Sequence, residues 1–578
     1  MRLSLFYVAC SAFLMSACFR ERGGQETGAS SDGNAIAVCA TPATSDTAWY
    51  HSGKKAPMLD GLSGLDFRIT TTRPEVQAYF NQGLMLAYGF NHAEAARSFY
   101  EAIRLDSTCA MAHWGFAYVL GPNYNGGMED GNFLRAWKSA NTARRLATHA
   151  TPKEKALIAA LMERYVGEPP ADRSLLDAAY ANAMKKVYAQ FPDDPDVGAL
   201  YAESLMDQHP WDLYEKQTKA PKPWTPPLVA VLEDLLKKNP RHPGAHHLYI
   251  HAMEASATPE KALASAGLLD TLVRGSGHLL HMPSHIYINT GDYHLGSLAN
   301  LRAVAADSSY TTTCHAQGVY PLTYFPHNYH FLAATATLEG NSGLAWQAAL
   351  KVQQHTAQSI MRIQGWGTLQ HYYSIPYYVA VKLAMWDQLA ALPKPDRDLV
   401  YPNAVWHYAR GMAAVGRRDL ASAQTEMDSL AILSADTTLQ HLTIWNINTT
   451  ADLVRIASKV LSAGIAAQKN QPDKAIVLLT EAVRVEDNLN YNEPPDWFFS
   501  VRHHLGEVLL KTGRNAEAER VYRQDLLHWK KNGWALAGLY KALLAQKKNG
   551  EAAVVKKAFD ESWRFADTKI NGLSGIGE

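Results

Sequence analysis

A Gly and an Ala twelve positions apart, accompanied by one bulky aromatic, recur along this chain of 578 residues. No other feature constrains its fold as strongly. In VQAYFNQGLMLAYGFNHAEAARSFYEAIRLD, Val76 to Asp106, Gly83 is followed by Ala95 and Ala102, with Phe99 as the aromatic. Small residues let two helices approach closely, and the ring fills the space between them. The spacing returns at Gly506 and Ala518, with Tyr522 as the aromatic and Gly513 at the turn. Weaker units lie around Gly411 with Ala423 and around Ala475 with Ala482, and a unit beginning near Cys109 carries Trp114-Gly115. A hairpin of this kind cannot bury its apolar stripe alone. Hairpins therefore stack into a superhelix with a concave face lined by their first helices. Gly121-Pro122-Asn123, Pro192 to Pro195, Pro221 to Pro227 and Pro393 to Pro395 punctuate the rows, and strand-like alternation is scarce. The expected fold is an all-α solenoid of stacked helical hairpins.

These units resemble the tetratricopeptide repeat (TPR), whose period is about 34 residues. The resemblance implies ligand contacts from positions two, five, nine and twelve of each first helix, which share one helical face. Eleven of the chain's 23 histidines fall between His242 and His330. In HPGAHHLYIHAMEASATPEKALASA, Ala262 takes position twenty, so His247, His251 and Glu254 take five, nine and twelve. Pro243 suits a first helical turn, where a missing N–H costs nothing. In GHLLHMPSHIYINTGDYHLGSLANLRAVAAD, Gly291 marks the turn between helices and Ala303 position twenty-seven, which sends His278, His281 and His285 to two, five and nine. Pro283 is expected to kink that helix or delay its start. In PHNYHFLAATATLEGNSGLAWQAAL, Gly340 and Ala345 set the register, so His327 and His330 take two and five. All eight residues are expected on one face.

Two histidines at i and i+4 can share a divalent ion, and Glu254 adds an oxygen donor. The set suits a transition metal (Zn, Cu, Fe or Ni) better than Ca or Mg. Neighbouring first helices are about 10 Å apart, so a site drawing on two hairpins is within reach. Eight side chains are too many for one ion; two sites, or one site with an outer shell of partners, fits better. HxxxHxxE is not the HExxH of zinc proteases. No catalytic residue is specified, although a histidine or Glu254 would serve as a general base. Further groove-facing candidates are His92 beside Glu94, Asn123 in GPNYN, Glu493 in YNEPPDW, and His503 and Glu507 at positions five and nine of a C-terminal repeat. The tyrosine-rich stretch Gln370 to Tyr378 reads as core or as a stacking surface. No P-loop, GxGxxG, GxSxG or CxxC motif is present, which disfavours NTPase, dehydrogenase, serine hydrolase and thioredoxin functions.

The N-terminus reads as an export signal. Met1-Arg2 precedes the apolar run Leu3 to Met15, too short to span a membrane, and then Ser16-Ala17-Cys18. Leu14 to Cys18 resembles a bacterial lipobox, which implies a lipid on Cys18. Phe19 in the next position, by resemblance to Gram-negative lipoproteins, leans toward the outer membrane. The expected order is a signal over 1–18, a flexible tether over 19–48, and helical repeats over 49–220, 228–390 and 398–578, the middle block carrying the histidines. Lys plus Arg and Asp plus Glu are each 55, so nothing in the charge favours nucleic acid. The membrane is expected as a partner through the lipid alone. Cys39, Cys109 and Cys314 remain after processing, and an oxidising compartment permits one disulfide, for which Cys109 to Cys314 is the expected pairing.

The chain as a whole resembles bacterial TPR-containing exported proteins and lipoproteins. GFNHAEAARSF, CAMAHWGFA, HMPSHIYINTGDY, PHNYHFL and YNEPPDW carry that resemblance. A more distant likeness to the tetratricopeptide repeat protein 38 type lies in HPGAHHLYIHAMEA. Both imply the repeat fold, the first an exported location, and neither an activity. Three functions stay open: binding of a protein, peptide or small-molecule ligand in a concave histidine-rich groove, with or without a metal; a metal-dependent enzyme using the His/Glu cluster; and a purely structural scaffold. An enzyme requires a closed pocket, whereas a binding module presents a long open groove.

Overall fold

Phe99, on helix His92–Leu105, lies under Gly83 of helix Pro74–Tyr88 so closely that a Cβ at Gly83 would stand 2.8 Å from the ring. The small-residue spacing is therefore the imprint of two helices in close contact. Gly506 meets Tyr522 in the same way, and Gly411 meets Leu461. Gly291, Gly340 and Gly513 hold φ of +79°, +80° and +74° at the expected turns, where L-residues with a Cβ are disfavoured. A computed structural model describes residues 47–570 apart from 315, 317 and 498, and within them one helix follows another as stacked TPR-like hairpins. Thr443–Ile444 and Asn448–Thr449 form the only strand pair among the described residues. The expected signal over 1–18, Cys18, Cys39 and the expected tether up to residue 46 lie outside the described residues, while residues 47 and 48 open the helix Thr47–His51. No described helix is long and apolar enough to cross a membrane.

The array departs from an open superhelix because its C-terminal hairpins return to the histidine-bearing ones. Tyr293 Oη donates to the Lys530 carbonyl at 2.8 Å, and Lys531 Nζ pairs with Asp292 at 2.6 Å. Trp534 Nε1 donates to the Thr337 carbonyl at 3.1 Å, and Ser342 N–H to Asp567 at 2.6 Å. The backbone at Gly291 touches Lys530, a contact that any side chain there would obstruct. Two apolar cores meet inside helix Pro283–Thr290, one ending at Tyr287 and the other beginning at Ile288. The central hairpins are thus held between both halves of the chain. Tyr372, Tyr373, Tyr377 and Tyr378 are buried in the second core, where the sequence left core or a stacking surface open.

The expected disulfide is absent. Cys109 and Cys314 are both free thiols. Cys109 caps helix Ala110–Val119 with its Sγ 3.9 Å from the Thr70 carbonyl, whereas Cys314 ends helix Tyr293–Cys314 beside Glu94, so the two thiols have different neighbours.

Candidate metal centre

His247, His251 and Glu254 share the helix Pro243–Glu254, capped by His242 and started by Pro243. Pro283 does break the next helix, into Gly277–His281 and Pro283–Thr290. The break is mild: the Met282 N–H still reaches the His278 carbonyl at 3.0 Å, so His278, His281 and His285 keep a common side. His327 and His330 stand on Phe325–Glu339, which continues from a π-helical turn at Tyr320–Tyr324. All eight residues are buried, between 0 and 8 % exposed, where a solvated groove would leave them wet.

Six of the histidines converge as two triads, His247/His251/His278 and His281/His285/His327, each with three ring nitrogens within 4.8 Å of one another. His251, Glu254 and His285 form a third grouping that joins them. Four rings are held from behind through Nδ1. His247 Nδ1–H donates to the Tyr88 carbonyl at 2.6 Å, and His251 Nδ1–H to Glu254 Oε1 at 2.7 Å. His285 Nδ1–H donates to Glu254 Oε2. His281 Nδ1–H donates to Asn300 Oδ1 at 2.7 Å, and Asn300 is fixed in turn because its Nδ2 donates to the Gly296 carbonyl at 2.8 Å. A neutral imidazole that donates from Nδ1 carries its lone pair on Nε2. These four lone pairs therefore point into the cluster. His247 Nε2, His251 Nε2 and both ring nitrogens of His278 have no hydrogen-bond partner.

The second triad is the more informative. His281 Nε2 lies 2.8 Å from His285 Nε2 and 3.1 Å from His327 Nε2. Since His281 and His285 each give their proton to a group behind the ring, two lone pairs face one another at contact distance. An added proton would relieve that repulsion, but burial opposes it: the His281 pKa is pushed well below the ordinary value, first by desolvation and then by His285 and His327. His327 is lowered to about 3, mainly by desolvation. A divalent cation relieves it directly. Tetrahedral zinc with Zn–N of about 2.0–2.1 Å places ligand nitrogens roughly 3.3 Å apart, near the observed spacing.

Glu254 ties the triads together. Burial alone would raise its pKa, but the imidazoles of His285 and His251 outweigh burial and hold it down to about 2, ionised throughout the physiological range. Its two oxygens serve one ring in each triad, the carboxylate–histidine arrangement that orients metal ligands and raises their basicity. His278 is placed through its backbone: its N–H donates to Tyr320 Oη at 3.1 Å, and Tyr320 donates to Asp307 at 2.8 Å.

Beside the triads lies a small cavity of about 80 Å³, lined by His278, His285, His327, Asn492, Glu493 and Trp445 among others. A larger one of about 480 Å³ shares Trp211 and Glu493 with it and is also lined by Lys219 and Tyr491. Trp211 and Trp445 sit at φ +58° and +53°, a left-handed backbone rare for bulky residues, and both indoles face the inner cavity. Trp445 comes from the small β-hairpin, and Asp496 ties that hairpin to the Glu493 loop by accepting from Asn448 and Asn492, each at 2.8 Å. Glu493 Oε1 accepts from Tyr491 Oη and from Asn289 Nδ2 at 2.7 Å, while its buried Oε2 has no partner. Burial pushes the Glu493 carboxyl up to about 7, although His285 opposes the shift.

The remaining candidates fall elsewhere. His330 packs against His371 and Tyr372, at ring separations of 5.3 and 5.5 Å, away from either triad. His92 and Asn123 line a neighbouring cavity that shares Asn125, Tyr324 and Trp445 with the inner one. His503 belongs to a separate buried network, accepting from Lys382 Nζ at 2.9 Å and donating to Asp525 at 3.1 Å, and Glu507 pairs with Lys511 at 3.0 Å. Phe90, Asn300 and Tyr88 were not singled out by sequence. Phe90 covers the first triad with its ring 4.5 Å from His247 and 5.7 Å from His251. Its place in the turn GFNHAEAA, at φ +52°, is the one local signal that marks it.

No protein-family model matches the chain, and no curated protein matches it. Among solved structures, a human IFIT1 dimer with m7Gppp-AAAA is similar at 13 % identity and a TM-score of 0.30, over 86 % of this chain and 92 % of that one. The Cut9-Hcn1 hetero-tetramer of APC/C gives 13 % identity and a TM-score of 0.30, over 86 % and 79 % of the two chains. The P58(IPK) TPR domain gives 12 % and 0.20, over 82 % and 99 %. Likenesses this distant say nothing about the site.

Proposed function

We propose that the chain is a metalloprotein holding two transition-metal ions, one at His247/His251/His278 and one at His281/His285/His327. Three neutral imidazoles per ion suit zinc, copper or iron, and zinc is the ion used in the tests below. One observation carries this reading: Nε2 lone pairs of His281 and His285 face each other at 2.8 Å while both Nδ1 protons are committed elsewhere. Three protein ligands per ion leave a coordination position open, as in zinc sites that act on a bound molecule. The small cavity beside them accepts a small molecule or a short portion of a larger one, which favours an enzyme over a long peptide groove.

Elemental mass spectrometry on protein produced without a histidine tag tests this reading. The parent is expected to carry about two equivalents of metal per chain, and His247→Ala and His281→Ala about one each. Equal metal in the parent and both folded variants would refute the assignment, as would a parent that stays metal-free after zinc reconstitution.

A further inference from the structure

Glu493 is unlike the other carboxylates near the cluster. Glu254 uses both oxygens to hold histidines, and Asp307 uses both to hold Tyr320 and Asn328. Glu493 uses one. Its Oε1 is anchored by Tyr491 and Asn289, and its buried Oε2 is left unpartnered on a residue that lines the same cavity as His278, His285 and His327. Asn289 itself stands one helical turn beyond His285 and donates to both Glu493 and the His285 carbonyl, so the carboxylate is braced against the helix bearing the triad. An unsatisfied buried carboxylate oxygen is costly, and a bound water, an ion or a catalytic role accounts for such atoms in native proteins.

We propose, building on the two-metal reading, that this chamber is a hydrolytic centre for uncharged carboxylic esters or amides, with Glu493 as its general base. An ion held by His281, His285 and His327 would lower the pKa of a water there and polarise the substrate carbonyl. Glu493 Oε2 accepts a proton from that water as the water oxygen bonds to the carbonyl carbon and the C=O π pair moves onto oxygen. The carbonyl re-forms as the C–O or C–N bond breaks, and Glu493 returns its proton to the departing oxygen or nitrogen. One water is consumed and no redox partner is needed. The substrate class follows from the walls. The inner cavity has no Lys or Arg in its lining, so a phosphate ester would find no side-chain cation for the oxygens that the ions leave unbound, whereas a neutral carbonyl meets Asn125, Asn492 and the indoles. About 80 Å³ beside the ions takes a small acyl group, and the outer cavity of about 480 Å³ takes the leaving portion.

The test pairs metal content with hydrolysis of 4-nitrophenyl acetate by the zinc-loaded full-length protein, its Glu493→Gln variant and its His281→Ala variant. Gln keeps the shape and the hydrogen bond from Asn289 but takes no proton. The expected result is turnover by the parent, a fall of roughly 100-fold or more in kcat for Glu493→Gln with metal content and unfolding temperature unchanged, and no turnover above background for His281→Ala. A metal-replete parent that does not hydrolyse the ester, or a Glu493→Gln variant as active as the parent, would overturn the inference and leave the metal reading standing. A parent that takes up no zinc would remove both.

Discussion

Glu254→Gln is expected to weaken both metal sites at once, each by about 10–100-fold, although the residue need not touch either ion. The argument is one of donors and acceptors. Glu254 accepts a hydrogen bond from His251 on one side and from His285 on the other. A glutamine in its place offers one acceptor oxygen and one donor NH2 group. One of the two rings would then face a donor, move its proton to Nε2 and lose the lone pair that binds metal. The remaining ring would lose the basicity that a carboxylate partner lends. Asn300 makes the comparison sharp, because it serves His281 alone: Asn300→Leu should weaken one site and leave the other intact. Competition titration against a chromophoric chelator separates the two patterns. A Glu254→Gln protein with one unperturbed site would show that the carboxylate does not bridge the triads.

The metal-free protein is expected to lose most of its stability between pH 6.5 and 5. His92, His371 and His504 lie outside the triads, and burial holds each of their pKa values down to about 3. A histidine whose folded pKa is depressed contributes stability that is fully present above its unfolded value of about 6.5 and is lost as pH falls toward the folded value. At pH 5 each has lost roughly 2 kcal/mol (about 1.36 kcal/mol for each of 1.5 pH units), so the three together lose roughly 6 kcal/mol. Small domains are stable by only about 5–15 kcal/mol in total, so a loss of this size is decisive. Glu254 acts lower: its depressed carboxyl contributes stability present above about 4.5 and lost as pH falls toward 2. Bound metal should shift the acid transition to lower pH, because ligated nitrogens cannot take a proton until the ion leaves. Urea unfolding midpoints at pH 7.5, 6.5, 5.5 and 5, with and without zinc, measure this directly. Midpoints flat over that range would mean that the buried histidines are solvated or already charged.

Much of the site was legible because helical periodicity and small-residue spacing are local signals. Ala262, Gly291 with Ala303, and Gly340 with Ala345 set registers that send all eight metal candidates to one face, and the structure gathers seven of them, His247, His251, Glu254, His278, His281, His285 and His327. His330 shows the limit of that reasoning. It stands at the same three-residue offset from His327 as His281 does from His278, yet its ring packs against His371, so register alone does not decide which ring reaches the cluster. What sequence did not reveal comes from residues distant in the chain. Tyr88 reaches His247 across 159 positions, and the Glu493 carboxylate reaches Asn289 across 204. Closure of the concave face by the C-terminal hairpins depends on Lys530, Trp534 and Asp567, which carry no motif. The Cys109 to Cys314 pairing failed for the same reason: a shared oxidising compartment says nothing about whether two Cα atoms stand within bonding reach.

Diffraction from crystals of the zinc-reconstituted protein, collected on either side of the zinc absorption edge, tests the central claim most directly. Two anomalous peaks are predicted, one bounded by His247, His251 and His278 and one by the Nε2 atoms of His281, His285 and His327, with Zn–N distances of about 2.0–2.1 Å. Zinc bound only at surface histidines, with the triads unchanged and empty, would contradict the account.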